Sequence, residues 1–218
     1  MIISDKKKFV FIHIPKTGGT SIENSLLKYA NLRQKIVSYY PTKYLIYLIN
    51  RSNINLLDNG NKWINGFHRH ETIKYLNKSK KYNSYFKFTV VRNPYSWFAS
   101  LYNYIQISKR HKLYEIVKNY NLDEFLDLQI KKKIFRQTDY IFNKDAKYQV
   151  DRIIKLEKIN QEIEILKKKF CIDLELLHLN KSKTANNIYF QNKESLNKFN
   201  KYFEKDFLEL NYNFIKFK

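Results

Sequence analysis

Three residues of this 218-residue chain have the type and the surroundings for chemistry on an anionic substrate: Lys16, His70 and Arg92. Lys16 lies in Pro15-Lys-Thr-Gly-Gly-Thr-Ser21, where a mobile cation, Gly18, Gly19 and the hydroxyls of Thr17, Thr20 and Ser21 share a few positions. Glycine lets a backbone approach a ligand closely. A helix that starts beside it points its N–H groups and its positive end at an anion. Arg92 opens Arg92-Asn-Pro-Tyr95, and a guanidinium suits bidentate binding of phosphate. His70 ends His68-Arg-His70 and is followed by Glu71. An imidazole with a pKa near neutrality can accept a hydroxyl proton during attack.

The elements that position these groups are legible. Phe9 to Ile14 and Phe88 to Val91 are apolar, β-branched runs that stop at Pro15 and before Pro94. Each then turns amphipathic, so each reads as a buried strand feeding a helix. The chain has only four glycines and three prolines, and Pro15, Gly18, Gly19 and Pro94 all fall at these two junctions. Thr20 followed by Glu23 fits a capping box, which predicts a helix start there. Arg92 sits at a strand end, where α/β sheets place ligand contacts. Asn93 suits a cap and Pro94 the first helical position, with Tyr95, Phe98, Leu101, Tyr102 and Ile105 as the buried stripe.

Two familiar alternatives fit poorly. A nucleoside-triphosphate P-loop places its Lys after the last glycine, with a hydroxyl for magnesium next to it. Here Lys16 precedes the glycines, and the second strand ends in Arg92, not in a metal-binding acid. His68 and His70 are spaced as metal ligands can be, but no third or fourth ligand stands near them, so no metal is expected. Of the five histidines, His13 falls inside the first strand as a core or rim residue, His111 follows Lys109-Arg110 as a solvated one, and His178 stays open.

With these residues in view, Pro15 to Ser21 resembles the 5′-phosphosulfate loop of sulfotransferases, especially the carbohydrate-modifying group related to heparan sulfate 2-O-sulfotransferase. Arg92-Asn-Pro-Tyr followed by Ser100 resembles the 3′-phosphate segment of the same family. Asp139 to Phe142 with Val150 to Glu157 looks like its later hairpin and strand, and Tyr202 to Phe214 like its C-terminal helix and tail. The resemblance implies a P-loop-like three-layer α/β fold with a central, mostly parallel sheet flanked by helices. It implies 3′-phosphoadenosine 5′-phosphosulfate as donor and no metal. Lys16 would then hold the 5′-phosphate and the bridging oxygen to sulfur. The backbone of Thr17, Gly18, Gly19 and Thr20, with the Thr20 and Ser21 hydroxyls, would surround that phosphate. Arg92 and Ser100 would bind the 3′-phosphate. The second histidine of a His-x-His segment is the base in the relatives, which maps onto His70. His68 would orient substrate, and Glu71 is the alternative base. Asn180, Ser182 and Lys183 would belong to a loop covering the donor. Ser96-Trp97 departs from the Asp-Arg of many relatives and removes a second cation.

The length fits one domain, residues 1–218, large enough for a substantial core. No stretch reads as a membrane span. The apolar run after Lys6-Lys-Lys8 is too short for a secretion signal and leads into the phosphate loop. A single cysteine, Cys171, excludes an internal disulfide. Together these point to a cytoplasmic enzyme of bacterial or viral origin. Asp123 to Lys133, then Ile159 to Phe170, then Leu196 to Phe203 read as helices, residues 31–65 as irregular helix and loop with a turn at Asn59-Gly60, and Asn180 to Asn187 as a loop.

A formal charge of +21 attracts polyanions through its long-range field, and the implied donor is itself anionic. The reading is therefore transfer of a sulfuryl group to a hydroxyl of an acceptor, a glycan or glycolipid. Two rivals stand beside it: an ATP-dependent kinase with an unusual P-loop, and a basic nucleic-acid-binding protein. Nucleic acid is the weaker of the two, because lysine is spread along the whole chain and no nucleic-acid module is recognisable.

Overall fold

The two apolar runs become neighbouring strands of one sheet. The computed structural model describes residues 1–32, 34–35, 70, 72–78, 80–142, 150–176, 190 and 192–215. β2 (Phe9–Ile12) and β3 (Phe86–Val91) run parallel, with Phe11 opposite Phe88 and Ile12 opposite Thr89. β1 (Ile2–Ser4) adds an antiparallel edge to β2, and β4 (Arg152–Lys155) pairs in parallel with β3. The sheet order is β1-β2-β3-β4. The fold is α/β, a mostly parallel sheet with helices around it, as expected.

Alternation along the strands sends side chains to opposite faces. Val10, Ile12 and Val91 pack with Ile73, Leu76 and Ile141 on one face. Phe9, Phe11, Phe88 and Val90 pack on the other against α1 (Gly19–Leu27) and α5 (Ile159–Phe170), through Ile22, Leu26, Ile163 and Leu166. Because both faces are covered, these strands are apolar throughout rather than alternating. A third cluster is aromatic. Tyr95, Trp97 and Phe98 of α2 (Pro94–Ile107) meet Phe125 of α4 (Leu122–Lys131), Phe199 of α6 (Lys193–Tyr202) and Phe207 of α7 (Glu204–Glu209). A short α3 (Tyr114–Val117) links α2 to α4.

Three local expectations change. Thr20 and Glu23 do not form a capping box. The α1 N-cap is Gly18, with no side-chain cap bond, and Glu23 turns instead to His13. The cap of α4 is Asn121 in a true capping box with Glu124, so that helix starts at Leu122, before Asp123. The start of the Asp139 to Phe142 segment is a 3₁₀ turn, Gln137–Tyr140, closed by the Asp139 carboxylate accepting from the Arg136 N–H at 2.8 Å, and Phe142 makes a β-bridge. A local side-chain-to-backbone bond of this kind competes with strand pairing. The residue run after His70 also forms a 3₁₀ helix, Ile73–Lys78.

The C-terminal helices carry a buried charge. Asp206 on α7 has no exposed surface and accepts from the backbone N–H groups of Gln137 and Thr138 and from the Thr138 hydroxyl. Burial raises its pKa to about 6, against the pull of those hydrogen bonds. No helix among the described residues is long and apolar enough to cross a membrane.

Candidate functional site

Parallel pairing of β2 and β3 brings both strand-to-helix junctions to the same edge of the sheet. Thr89 Oγ1 donates to the Ile12 carbonyl at 2.8 Å and ties the strands near that edge. Beyond it, Trp97 Nε1 donates to the Pro15 carbonyl at 2.7 Å and so binds α2 directly to the first loop. The aromatic that replaces a cation in the family pattern is therefore a brace between the two junctions. Its indole N–H finds a partner on burial, as buried Trp generally does.

The first loop has the backbone its glycines forecast. Gly18 adopts φ +76, in the left-handed region, and a Cβ there would lie 2.8 Å from Leu156 Cδ1. Gly19 is needed for a different reason: a Cβ on it would come within 2.3 Å of the buried His13 ring. Lys16 is also held at φ 66, in the left-handed region that is uncommon for a residue with a side chain. Thr17 is fully buried and its hydroxyl donates to the Ile14 carbonyl at 2.9 Å, so it closes the loop rather than offering itself to a ligand. Thr20 and Ser21 are half-buried in the first turn of α1. The N-cap of α1 makes no side-chain cap bond, and the positive end of a helix favours an anion.

Lys16 and Arg92 converge on this edge. The Lys16 ammonium lies over the Tyr104 ring of α2, 4.2 Å from its centroid. Burial lowers its pKa, and the charge of Arg92 lowers it further. Arg92 is itself lowered by burial, with Glu157 opposing the effect. Two cations held close in a partly desolvated edge repel each other, and an anion between them relieves both. Ser100 is half-buried on α2. The spacing Trp97, Ser100, Tyr104 follows one helical face, and its two ends contact Pro15 and Lys16.

His70 joins the site through the end of β2. Its Nδ1 lies 3.1 Å from the His13 carbonyl. A carbonyl only accepts, so Nδ1 carries the proton and Nε2 is the basic nitrogen of the neutral ring. The His13 ring sits edge-on to the His70 ring, 4.6 Å between centroids, and its own Nδ1 donates to Glu23 at 3.1 Å. His13 was expected as a core or rim residue. It is buried, and it touches both His70 and the Gly19 turn. Desolvation and the neighbouring His13 lower the His70 pKa to about 4, although the residue as a whole is exposed. His111, expected as solvated, is half-buried and accepts from the Leu113 N–H. His68, Glu71, His178, Asn180, Ser182, Lys183 and the Asn59-Gly60 turn lie outside the described residues.

A histidine whose pKa drops on folding is protonated first in the unfolded chain. Its contribution is neutral above the ordinary value of 6.5 and becomes destabilising as pH falls from there toward about 4. Histidine NMR titration should show the His70 ring still neutral at pH 5.5 in the ligand-free protein. A midpoint near the ordinary 6.5 would mean that the ring is not desolvated in solution.

His70 also lines a cavity of about 1240 Å³. The other walls include Lys74, Lys133, Arg136, Lys198, Lys201, Phe135 and Tyr202; Lys16 and Arg92 do not line it. His70 thus links the end of β2, through the His13 carbonyl, to the cavity wall. No group of three or more His, Cys, Asp or Glu residues among those described could hold a metal ion.

The strand, the Gly loop and the helix that follows, with a second strand ending at Val91 just before Arg92, lie within residues 1–140, and the family model for the sulfotransferase family matches that whole stretch. The chain belongs to the sulfotransferase family. No curated protein and no solved structure matches it. The match includes Lys16, His70, Arg92 and Ser100 but stops before β4 and the C-terminal helices. Membership makes the chain a transferase of sulfuryl groups.

Sequence reasoning missed Trp97, Gln137, Glu157 and Asp206. Gln137 is fully buried, and its side chain grips the backbone of Arg92 from both sides. Glu157 accepts from the Asn93 N–H at 2.8 Å and from the Tyr212 hydroxyl at 2.9 Å. Nothing local in the sequence marks these residues, because each acts on a junction far away along the chain.

Proposed function

We propose that the donor is 3′-phosphoadenosine 5′-phosphosulfate and that the acceptor is a hydroxyl of a carbohydrate, a glycan or glycolipid. The observation that carries the donor reading is that Lys16 and Arg92 follow the ends of the paired parallel strands β2 and β3, at the edge where α1 begins without a side-chain cap. One cation per phosphate group, at the ends of adjacent parallel strands, suits a nucleotide with phosphates at both its 5′ and 3′ positions. The donor supplies an activated sulfuryl group. Lys16 and the turn Thr17-Gly18-Gly19-Thr20-Ser21 hold its 5′ end, and Arg92 with Ser100 holds the 3′-phosphate. Nε2 of His70 takes the acceptor proton as the acceptor oxygen bonds to sulfur and the bond from sulfur to the phosphate oxygen breaks. Lys16 steadies the negative charge left on that oxygen, which is the work of preorganised charge in group transfer.

The cavity beside His70 supports a carbohydrate acceptor. Its lining has hydrogen-bond donors in Lys74, Lys133 and Lys201, and the ring of Phe135 is 55% exposed within it. An exposed aromatic face is a platform for the apolar face of a sugar ring.

Calorimetry separates the donors. The 3′,5′-bisphosphate product nucleotide should bind the wild-type chain and raise its melting temperature, because a ligand of the native state alone stabilises it. Magnesium-ATP should do so much less. In Arg92→Ala the bisphosphate should weaken by about 2–3 kcal/mol, the scale of hydrogen bonds to a charged group, with adenosine 5′-monophosphate little changed. Magnesium-ATP stabilising the chain as strongly as the bisphosphate would sink the donor assignment.

A further inference from the structure

The backbone at Arg92 is held by a side chain 45 residues further along the chain, beyond the reach of the sheet. β3 ends at Val91, and Arg92 and Asn93 form the junction before α2, where the Asn93 N–H donates to Glu157. Gln137 closes on that junction with both ends of its amide: Oε1 accepts from the Arg92 N–H at 2.8 Å, and Nε2 donates to the Arg92 carbonyl at 2.7 Å. Gln137 is fully buried, and its own N–H donates to the Asp206 carboxylate at 2.9 Å. Asp206 is fully buried too. A buried carboxylate is costly unless it is fully hydrogen-bonded. This one spends its acceptors on fixing the single turn that carries Gln137.

We propose that Gln137, fixed by Asp206, is a positioning residue for Arg92, and that the C-terminal helix α7 thereby sets the affinity of the site for a 3′-phosphate. This rests on the donor reading above and goes beyond it, since Asp206 lies outside the stretch that the family model matches. The physical reason is angular precision. A bidentate guanidinium contact needs its base fixed, and an arginine whose own backbone can shift aims poorly. Sheet pairing cannot fix it, because Arg92 lies past the last paired residue of β3, Val91 opposite Lys155. The amide of Gln137 does what a further strand residue would have done: it supplies one donor and one acceptor to the junction.

The test uses the full chain, isothermal calorimetry, and two probes, 3′-phosphoadenosine 5′-phosphate and adenosine 5′-monophosphate. Gln137→Met keeps the side-chain volume and removes both bonds. It should weaken the bisphosphate by about tenfold or more, the scale on which misplaced contact groups lose effect. The monophosphate should stay within about twofold, because its site at Lys16 and Gly18 is untouched. Asp206→Asn keeps the shape of the side chain but can no longer accept from all three donors, and should shift the same ratio in the same direction. It serves if Gln137→Met does not fold. A double variant with Arg92→Ala supplies the readout that a merely structural role would not move. Once the guanidinium is gone, Gln137→Met should cost the bisphosphate nothing further. Equal weakening of both probes, or full additivity with Arg92→Ala, would overturn the proposal while leaving the donor assignment intact. If the wild-type chain itself does not prefer the bisphosphate, the donor reading fails and this inference falls with it.

Discussion

Lys16→Ala is expected to lower turnover by roughly a hundredfold to a thousandfold, the scale for removing one preorganised donor from charge that develops in the transition state. The same substitution should weaken the bisphosphate nucleotide in the ground state by about 1.5–3 kcal/mol, because a charge-assisted hydrogen bond is lost. Both effects follow from where the ammonium sits. The backbone at φ 66 projects Lys16 from the turn between β2 and α1, and the Tyr104 ring 4.2 Å away cradles it beside Arg92. Lys16→Arg should rescue poorly. A guanidinium is larger and demands a planar geometry that the turn does not offer. Activity is read with labelled donor, after a panel of sugars and polysaccharides has identified an acceptor. Turnover in Lys16→Ala that stays within about threefold of wild type would show that no leaving-group charge is stabilised by this residue.

The parts of the site that the sequence revealed are those encoded locally. Pro15, Gly18, Gly19 and Pro94 mark two junctions because backbone chemistry at a turn is written in the residues of the turn itself. The run from Phe9 and the run from Phe88 read as strands because both faces of each are covered. Asn93 and Pro94 start α2 where their chemistry says a helix starts. What failed was also local in appearance but decided at a distance. Glu23 looked like half of a capping box, yet the fold brings His13 against it, and that buried pairing wins over an exposed cap. Trp97 looked like the loss of a cation, yet its indole reaches Pro15 across 82 residues of chain. Gln137 reads as an ordinary polar residue until Arg92, 45 residues away, is placed in its grip. No periodicity announces such contacts, since a single buried amide leaves no pattern. In the Asp139 segment the Arg136–Asp139 interaction, three residues apart, closes a tight turn ahead of Phe142.

His70→Ala separates proton transfer from binding. Turnover should fall by about a hundredfold or more, the usual contribution of a positioned general base. Affinity for the bisphosphate should hardly move, because His70 touches the His13 carbonyl and the cavity wall rather than the edge where Lys16 and Arg92 converge. The geometry supports this division. Nδ1 is committed to the carbonyl, so Nε2 is left to take a proton, and the low pKa keeps the ring neutral throughout the working range. A base whose pKa lies near 4 is intrinsically weak, but the negative charge that a bound donor brings into the site favours the protonated imidazolium. The pH profile should record the difference. The acid limb of kcat, which reports the complex, should lie at higher pH than the acid limb of kcat/KM, which reports the free protein. His70→Ala should lose that limb altogether. If His70→Ala keeps near-normal turnover while His68→Ala or Glu71→Ala abolishes it, the proton goes to a neighbour in the same segment and the sulfuryl-transfer reading stands. If none of the three substitutions matters, the acceptor hydroxyl does not meet this segment at all, and the cavity that His70 lines is not where the acceptor sits.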